Sequence, residues 1–216
     1  MTATVAVLST GDGHLLQALI EAVRLKVLDV RIGLVLSDRE ERLGLARQAG
    51  VATWSLLSPA EPGQTSDESD PELVQQIAAV RPDWVVLDGW SHRLGRAFLA
   101  HFSYRVVAVH PFLSGVSCTA EEILAAFLRG EIKQAACRGC LVAEGGGDPL
   151  IGSAEVPIYR SDTLAMLASR LRQAEQRLLV QSLQRLMVGD EEQIDEEDDS
   201  DDDSDDDSDD DSDEEE

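Results

Sequence analysis

Val5-Ala-Val-Leu-Ser-Thr-Gly-Asp-Gly13, followed by His14-Leu-Leu-Gln-Ala-Leu-Ile-Glu-Ala-Val-Arg-Leu25, decides the architecture. Val5–Leu8 is an apolar run without polar alternation, the pattern of a strand buried on both faces. Leu15, Leu16, Leu19, Ile20 and Val23 then recur at helical spacing. A glycine turn between strand and helix offers backbone N–H groups and a helix N-terminus to an anion. Gly11-Asp12-Gly13 lacks the third glycine of a dinucleotide fingerprint and the lysine of a P-loop. Asp12 would also oppose a phosphate placed close to it. A plain tight turn and a phosphate cradle built from Gly11, Asp12, Gly13 and His14 both stay open.

The same alternation continues along the chain. Ile32–Leu36 reads as a second strand, Arg39–Ala49 as a helix ended by Gly50, and Val51–Leu57 as a short third strand. Residues 58–71 are rich in Pro, Ser and acids and read as a loop. Glu72–Val80 is helical, Trp84–Leu87 a fourth strand, Leu94–Phe102 a short helix and Val106–Val109 a central strand. Thr119–Leu128 is a helix with a capping box, Thr119 with Glu122 three residues on. Cys140–Ala143 and Ile151–Ile158 look like two strands joined by a glycine-rich loop, and a long helix starts at Ser161-Asp162 and runs to about Val188. Strands alternating with helices call for right-handed crossovers and an α/β, Rossmann-like, doubly wound, mostly parallel sheet.

Composition divides the chain at residue 190. Residues 190–216 hold 21 Asp or Glu, four Ser, one Gln and one Ile, repeating Asp-Asp-Asp-Ser. The remainder keeps 21 acids against 18 Lys and Arg, so it carries about −3 of the net −24. We therefore expect one domain over 1–189 and a disordered, solvated acidic tail over 190–216. Such a tail suits basic proteins or divalent cations, and its Ser residues stand before acids, where phosphate would add charge. There is no basic patch for nucleic acid and no apolar run of membrane-spanning length. The N-terminus lacks a charged region before its apolar run, and three cysteines are no disulfide framework. The expectation is a cytoplasmic protein with a small-molecule ligand.

Chemistry concentrates at the carboxyl ends of the strands, where open α/β sheets bind ligands. The central strand runs straight into His110-Pro111, a placement suited to proton transfer and equally to a strand-capping histidine. Asp88-Gly-Trp-Ser-His92 follows the fourth strand directly, bringing a carboxylate, an aromatic plate and an imidazole beside the same edge. Cys137-Arg-Gly-Cys140 looks like half of a zinc site without a second pair, Cys118 and His101 being loose candidates. Side chains at i and i+3 of a strand face opposite sides, so zinc, redox chemistry and plain burial remain the three readings.

Leu8-Ser-Thr-Gly-Asp-Gly13, Ala46-Arg-Gln-Ala-Gly50, Asp83-Trp-Val-Val-Leu-Asp-Gly-Trp90, Val109-His-Pro-Phe-Leu113 and Asp148-Pro-Leu-Ile-Gly-Ser-Ala-Glu-Val-Pro157 together carry a resemblance. Residues 3–189 resemble the glycinamide ribonucleotide transformylases of purine synthesis and, more broadly, the amino-terminal domain shared by formyltransferases. The Arg170–Glu175 segment of the last helix adds to it. The resemblance implies the formyltransferase fold and transfer of a formyl group from 10-formyltetrahydrofolate to the amine of a phosphorylated substrate, with no metal. It places the phosphate loop at Gly11, Asp12, Gly13 and His14, and the folate pocket at Leu87, Gly89, Trp90 and His92, where Trp90 either stacks on a pterin or serves as a core aromatic.

The family's chemistry rests on an Asn and a His that steady an oxyanion, and an Asp that orients the His and moves protons through water. By the resemblance the His is His110, but the Asn position is Ala108 and the Asp position Gly146. The Ser-Asn of the family's phosphate loop is His14-Leu15 here, and its Met-Arg is Ser91-His92. Asp148 and Asp88 are the carboxylates that could stand in as helpers of His110. Two functions follow: a divergent formyltransferase, or a catalytically inactive relative that keeps the pocket for ligand sensing or protein contact.

Overall fold

The structure, a computed structural model, describes residues 2–56, 70–90, 92, 94–113, 116–144 and 147–188. Its elements are β1 (Ala3–Ser9), α1 (His14–Arg24), β2 (Val30–Ser37), α2 (Glu40–Gln48), β3 (Thr53–Ser55), α3 (Asp70–Ala79) and β4 (Trp84–Asp88). There follow α4 (Arg96–His101), β5 (Val106–Leu113), β6 (Val116–Ser117), α5 (Ala120–Leu128), β7 (Gln134–Leu141), β8 (Leu150–Pro157) and α6 (Leu164–Val188). Leu57 at the end of the expected third strand, residues 58–69 of the expected loop, Gly146, and the acidic tail from 190 on lie outside the described residues.

The sheet is ordered β3-β2-β1-β4-β5-β7-β8, with β6 paired to β5. From β3 to β5 every pairing is parallel, as the βα alternation requires, while β7 and β8 extend the sheet in antiparallel fashion. Alternate residues of one strand feed two cores. Val5 and Val7 face α1, α5 and α6, and Ala6 and Leu8 face α3 and α4. Burial on both sides explains why these strands read as unbroken apolar runs. Among the described residues no helix is long and apolar enough to cross a membrane.

Four expected boundaries move, each for a local reason. The third strand is only Thr53–Ser55, because its partner β2 pairs with it over three residues. α6 starts at Leu164 rather than at Ser161: the Asp162 carboxylate is taken by the Tyr159 amide and by the Arg170 guanidinium, and the Thr163 hydroxyl accepts from Met166 N–H instead. β7 begins at Gln134, six residues before the expected Cys140. Its small residues are poor strand formers, but they lie between β5 and β8 and under α6. A Cβ on Gly139 would stand 2.7 Å from Ser182 Oγ, so the glycine is what lets α6 lie close. Lastly, β5 continues past His110 to Leu113.

Cys137 and Cys140 both lie buried in β7. Cys137 Sγ is directed at the Leu171 carbonyl of α6, 3.9 Å away. Burial pushes the two thiols up to about 12 and about 11, so both are thiols at neutral pH. Of the three readings of this pair, plain burial is the one the strand produces.

The loops after β1 and β4 touch backbone to backbone. A Cβ on Gly89, whose φ is +60°, would lie 2.6 Å from Gly11 Cα. Gly89→Ala is expected to destabilise the protein by about 2 kcal/mol through overpacking against rigid backbone, read as a lowered melting temperature. The capping box at α5 is formed on both sides, Thr119 Oγ1 accepting from Glu122 N–H and Glu122 Oε2 from Thr119 N–H. Thr119→Ala is expected to cost about 1 kcal/mol in chemical denaturation, with no change in ligand binding.

Candidate active site

β1 and β4 end side by side, Ser9 opposite Asp88. The Asp88 backbone carbonyl accepts from the N–H groups of Thr10 and Gly11 at 3.2 and 3.1 Å, and Thr10 Oγ1 donates to the Gly89 carbonyl at 2.8 Å. The Asp88 side chain is fully buried. One oxygen accepts from Ser9 Oγ at 2.7 Å and the other from Leu15 N–H at 3.3 Å. Burial moves its carboxyl above the usual range; Ser9, the His14 charge and the N–H groups of Leu15 and Leu16 work in the opposite direction. Two hydrogen-bond donors, Ser9 Oγ and Leu15 N–H, favour the carboxylate against that burial.

Asp12 completes the mouth of α1. Its Oδ1 accepts from His14 N–H at 3.2 Å and meets His14 Nδ1 at 2.5 Å, while Oδ2 meets Arg172 Nε at 2.9 Å. On the other side of the ring, His14 Nε2 lies 3.3 Å from Glu175 Oε2. Burial works against a histidine cation, but the Glu175 and Asp12 carboxylates outweigh it and push the His14 pKa up to about 9. His14 is therefore an imidazolium at neutral pH. Burial works against the Asp12 carboxylate as well, but His14, with Arg172 behind it, holds Asp12 below the usual carboxylate range. Arg42 reaches in from α2 to donate to the Gly11 carbonyl, and Gln176 donates to the His14 carbonyl at 3.1 Å.

Ligand atoms of Asp12, His14 and Asp88 lie within 4.8 Å of one another, a cation-sized spacing. Asp12 Oδ1 already meets His14 Nδ1 at 2.5 Å, and Arg172 Nε lies 2.9 Å from Asp12 Oδ2. The group is an internal salt cluster.

His110 stands at a switch in the sheet. β4 accompanies β5 only as far as Leu87 opposite Ala108; beyond it β5 continues with β7, His110 opposite Arg138. The imidazole thus sits past the end of the parallel sheet, where Pro111, with no N–H to give, is tolerated. Burial lowers the His110 pKa, and Arg138 adds to this, while Glu175 and Asp148 oppose it. The ring is neutral at physiological pH. Among the described residues no group hydrogen-bonds either ring nitrogen.

The expected site residues separate into two groups. Gly11, Asp12, Gly13, His14 and Asp88 converge on the N-terminus of α1, so both Asp88 oxygens are engaged away from His110. Asp148, the other expected helper, accepts from Ala143 N–H through Oδ1 at 2.9 Å, close enough for its charge to reach His110 but without a bond to it. Leu87 and Trp90, with Leu94 and Val142, lie half-buried against the second core, and His92 packs edge-on to Trp90 at 5.1 Å between centroids. The Trp90 indole N–H is buried without a partner among the described residues. The described cavities lie elsewhere: one of about 530 Å³ among Ala3, Asp29, Asp83, Arg105 and Met187 at the amino ends of the strands, and one of about 320 Å³ between β6 and α5. Gly146 and the other loop residues around His110 are outside the described set.

Sequence reasoning gave Glu175, Arg172 and Arg42 no role in the site. The signal for Glu175 was present: it falls on the face of α6 occupied by Leu171, Ala174 and Leu178, an acid on an apolar stripe.

Comparison with known proteins places this arrangement. A family model described as "Formyl transferase" matches residues 3–183. The phosphoribosylglycinamide formyltransferase of Escherichia coli (strain K12) is 30% identical over 173 residues, covering 79% of this chain and 81% of the relative. That of Dictyostelium discoideum is 32% identical over 203 residues, covering 86% and 98%. Among solved structures, glycinamide ribonucleotide transformylase 1 from Symbiobacterium toebii superposes with a TM-score of 0.76 at 29% identity, covering 87% of this chain and 89% of that one. The switched sheet, the histidine at its switch and the glycine loop facing α6 thus stand in a family match that spans almost all of the described residues, and the chain belongs to the formyl transferase family.

Proposed function

We propose that this chain is a ligand-binding member of the family that has lost efficient formyl transfer to glycinamide ribonucleotide. The supporting observation is His110 itself, a neutral imidazole with Ala108 two residues before it and no hydrogen-bonding partner among the described residues.

In the transfer the acceptor amine attacks the formyl carbon of 10-formyltetrahydrofolate, and a tetrahedral oxyanion forms. The bond from carbon to N10 then breaks, and the proton lost by the amine ends on N10. Two things are required of the protein: donors aimed at the oxyanion, and a proton carrier held in one orientation. The Ala108 methyl donates nothing. His110, kept neutral by burial, meets a developing anion without a positive charge, and among the described residues no carboxylate fixes its tautomer. Losing one oxyanion donor costs roughly 10²–10³ in rate, and losing the orienting carboxylate as well leaves little turnover by this route. The half-buried wall of Leu87, Trp90, Leu94 and Val142 remains as an apolar surface suited to a flat aromatic ligand.

The purified full chain is expected to transfer formyl to glycinamide ribonucleotide at least about 10³-fold more slowly than an active relative. Ala108→Asn/Gly146→Asp is expected to raise that rate. Brisk, His110-dependent turnover by the unaltered protein would overturn the proposal. Asp148→Ala is expected to leave any residual rate unchanged, because its carboxylate serves the Ala143 amide; a loss of rate would make Asp148 the working partner of His110. Binding is read separately. A 10-formyltetrahydrofolate analogue that binds the native state is expected to raise the melting temperature, by about 2.7 kcal/mol of stabilisation at a hundred times its Kd.

A further inference from the structure

The N-terminus of a helix attracts anions because its first N–H groups have no partner within the helix. In α1 those groups are His14, Leu15 and Leu16, preceded by Gly13, whose φ of +83° aims the loop and which brings no capping side chain. Two of them are already engaged by side chains of the protein. His14 N–H donates to Asp12 and Leu15 N–H to Asp88, and Leu16 N–H lies near enough to Asp88 to favour its charged form. Of the positive side chains at this mouth, His14 lies between Asp12 and Glu175, Arg172 lies on Asp12, and Arg42 donates to the Gly11 carbonyl with its buried Nε left without a partner among the described residues.

The two carboxylates are not equivalent. Asp12 is half exposed and could swing aside, which would release Arg172 and the imidazolium to an incoming anion. Asp88 has no such freedom. It is fully buried at the end of β4, bonded to Ser9 Oγ through its other oxygen, and seated under a pair of loops in backbone contact. A phosphate arriving at α1 would find the Leu15 N–H spent and the Asp88 carboxyl group in its place.

We infer that Asp88, with Asp12, closes the α1 subsite to phosphate, so that the acceptor-end ligand of this pocket is an amine carrying no phosphate group. The exclusion of phosphate stands on the geometry of α1 alone. The nature of the ligand rests in addition on the reading that the pocket still binds one.

Inorganic phosphate is the first probe, titrated into the full chain while the Leu15 and Leu16 amide resonances are followed. No saturable change is expected into the millimolar range, and a saturable shift of those amides in the unaltered protein would overturn the inference, showing Asp12 to be a displaceable placeholder. Asp12→Asn/Asp88→Ala is expected to gain phosphate binding at least tenfold. A folded double variant that gains none would overturn the assignment to these two residues; if that variant does not fold, Asp12→Asn with Asp88→Asn, which keeps an oxygen acceptor but removes both charges, is titrated in its place with the same two outcomes. The second probe is a pair, glycinamide ribonucleotide and its dephosphorylated ribonucleoside, compared by thermal shift. The ribonucleoside is expected to stabilise at least tenfold more effectively by concentration, and the reverse order would overturn the inference. If neither moves the melting temperature while phosphate behaves as expected, the ligand-binding reading fails and the exclusion of phosphate stands.

Discussion

Asp88 is the point at which three elements are tied together. Its carboxylate joins the end of β4 to Ser9 at the end of β1 and to the first turn of α1, and its backbone carbonyl takes the two amides that open the glycine loop. A carboxylate removed from water this completely is tolerated only when each lone-pair direction finds a donor. The loop after β1, the start of α1 and the end of β4 therefore have little freedom relative to one another. Gly11 and Gly89 are glycines for the same reason: with the two loops drawn together by these bonds, no Cβ fits between them.

From that knot the site divides electrostatically. On the α1 side, Asp12, His14, Glu175 and Arg172 form a chain of alternating charges that links the glycine loop to α6. Each charge there is compensated by a neighbour, which is why His14 stays protonated although it is half-buried. On the β5 side, His110 is equally removed from water but has no bonded carboxylate among the described residues, so the same desolvation drives it neutral. Two histidines of one sheet edge thus hold opposite charge states, decided by whether a carboxylate lies within bonding distance. The charged one is bound up in structure, between Asp12 and Glu175.

The βα periodicity was legible because a strand buried on both faces and a helix with one apolar face leave different repeats in the sequence. His110, Asp88 and the glycine loop were also legible as residues gathered at one edge of the sheet, since in a parallel sheet that edge follows from strand direction alone. β7 was harder: Gln-Ala-Ala-Cys-Arg-Gly carries no strand pattern, and its conformation comes from two neighbouring strands and from α6 resting on Gly139.

What the sequence determined by itself, then, was the order of elements, the edge at which the chemistry gathers, and the absence of an amide beside His110. The tertiary structure alone decided which polar groups meet. Asp88 faces Leu15, 73 residues earlier, and not His110; Glu175 faces His14; Asp148 turns to the Ala143 amide. Such pairings join residues far apart in the chain, and they are fixed by the tilt and register of packed elements. A helical or strand repeat says which face a side chain is on, but not what the neighbouring element sets opposite it.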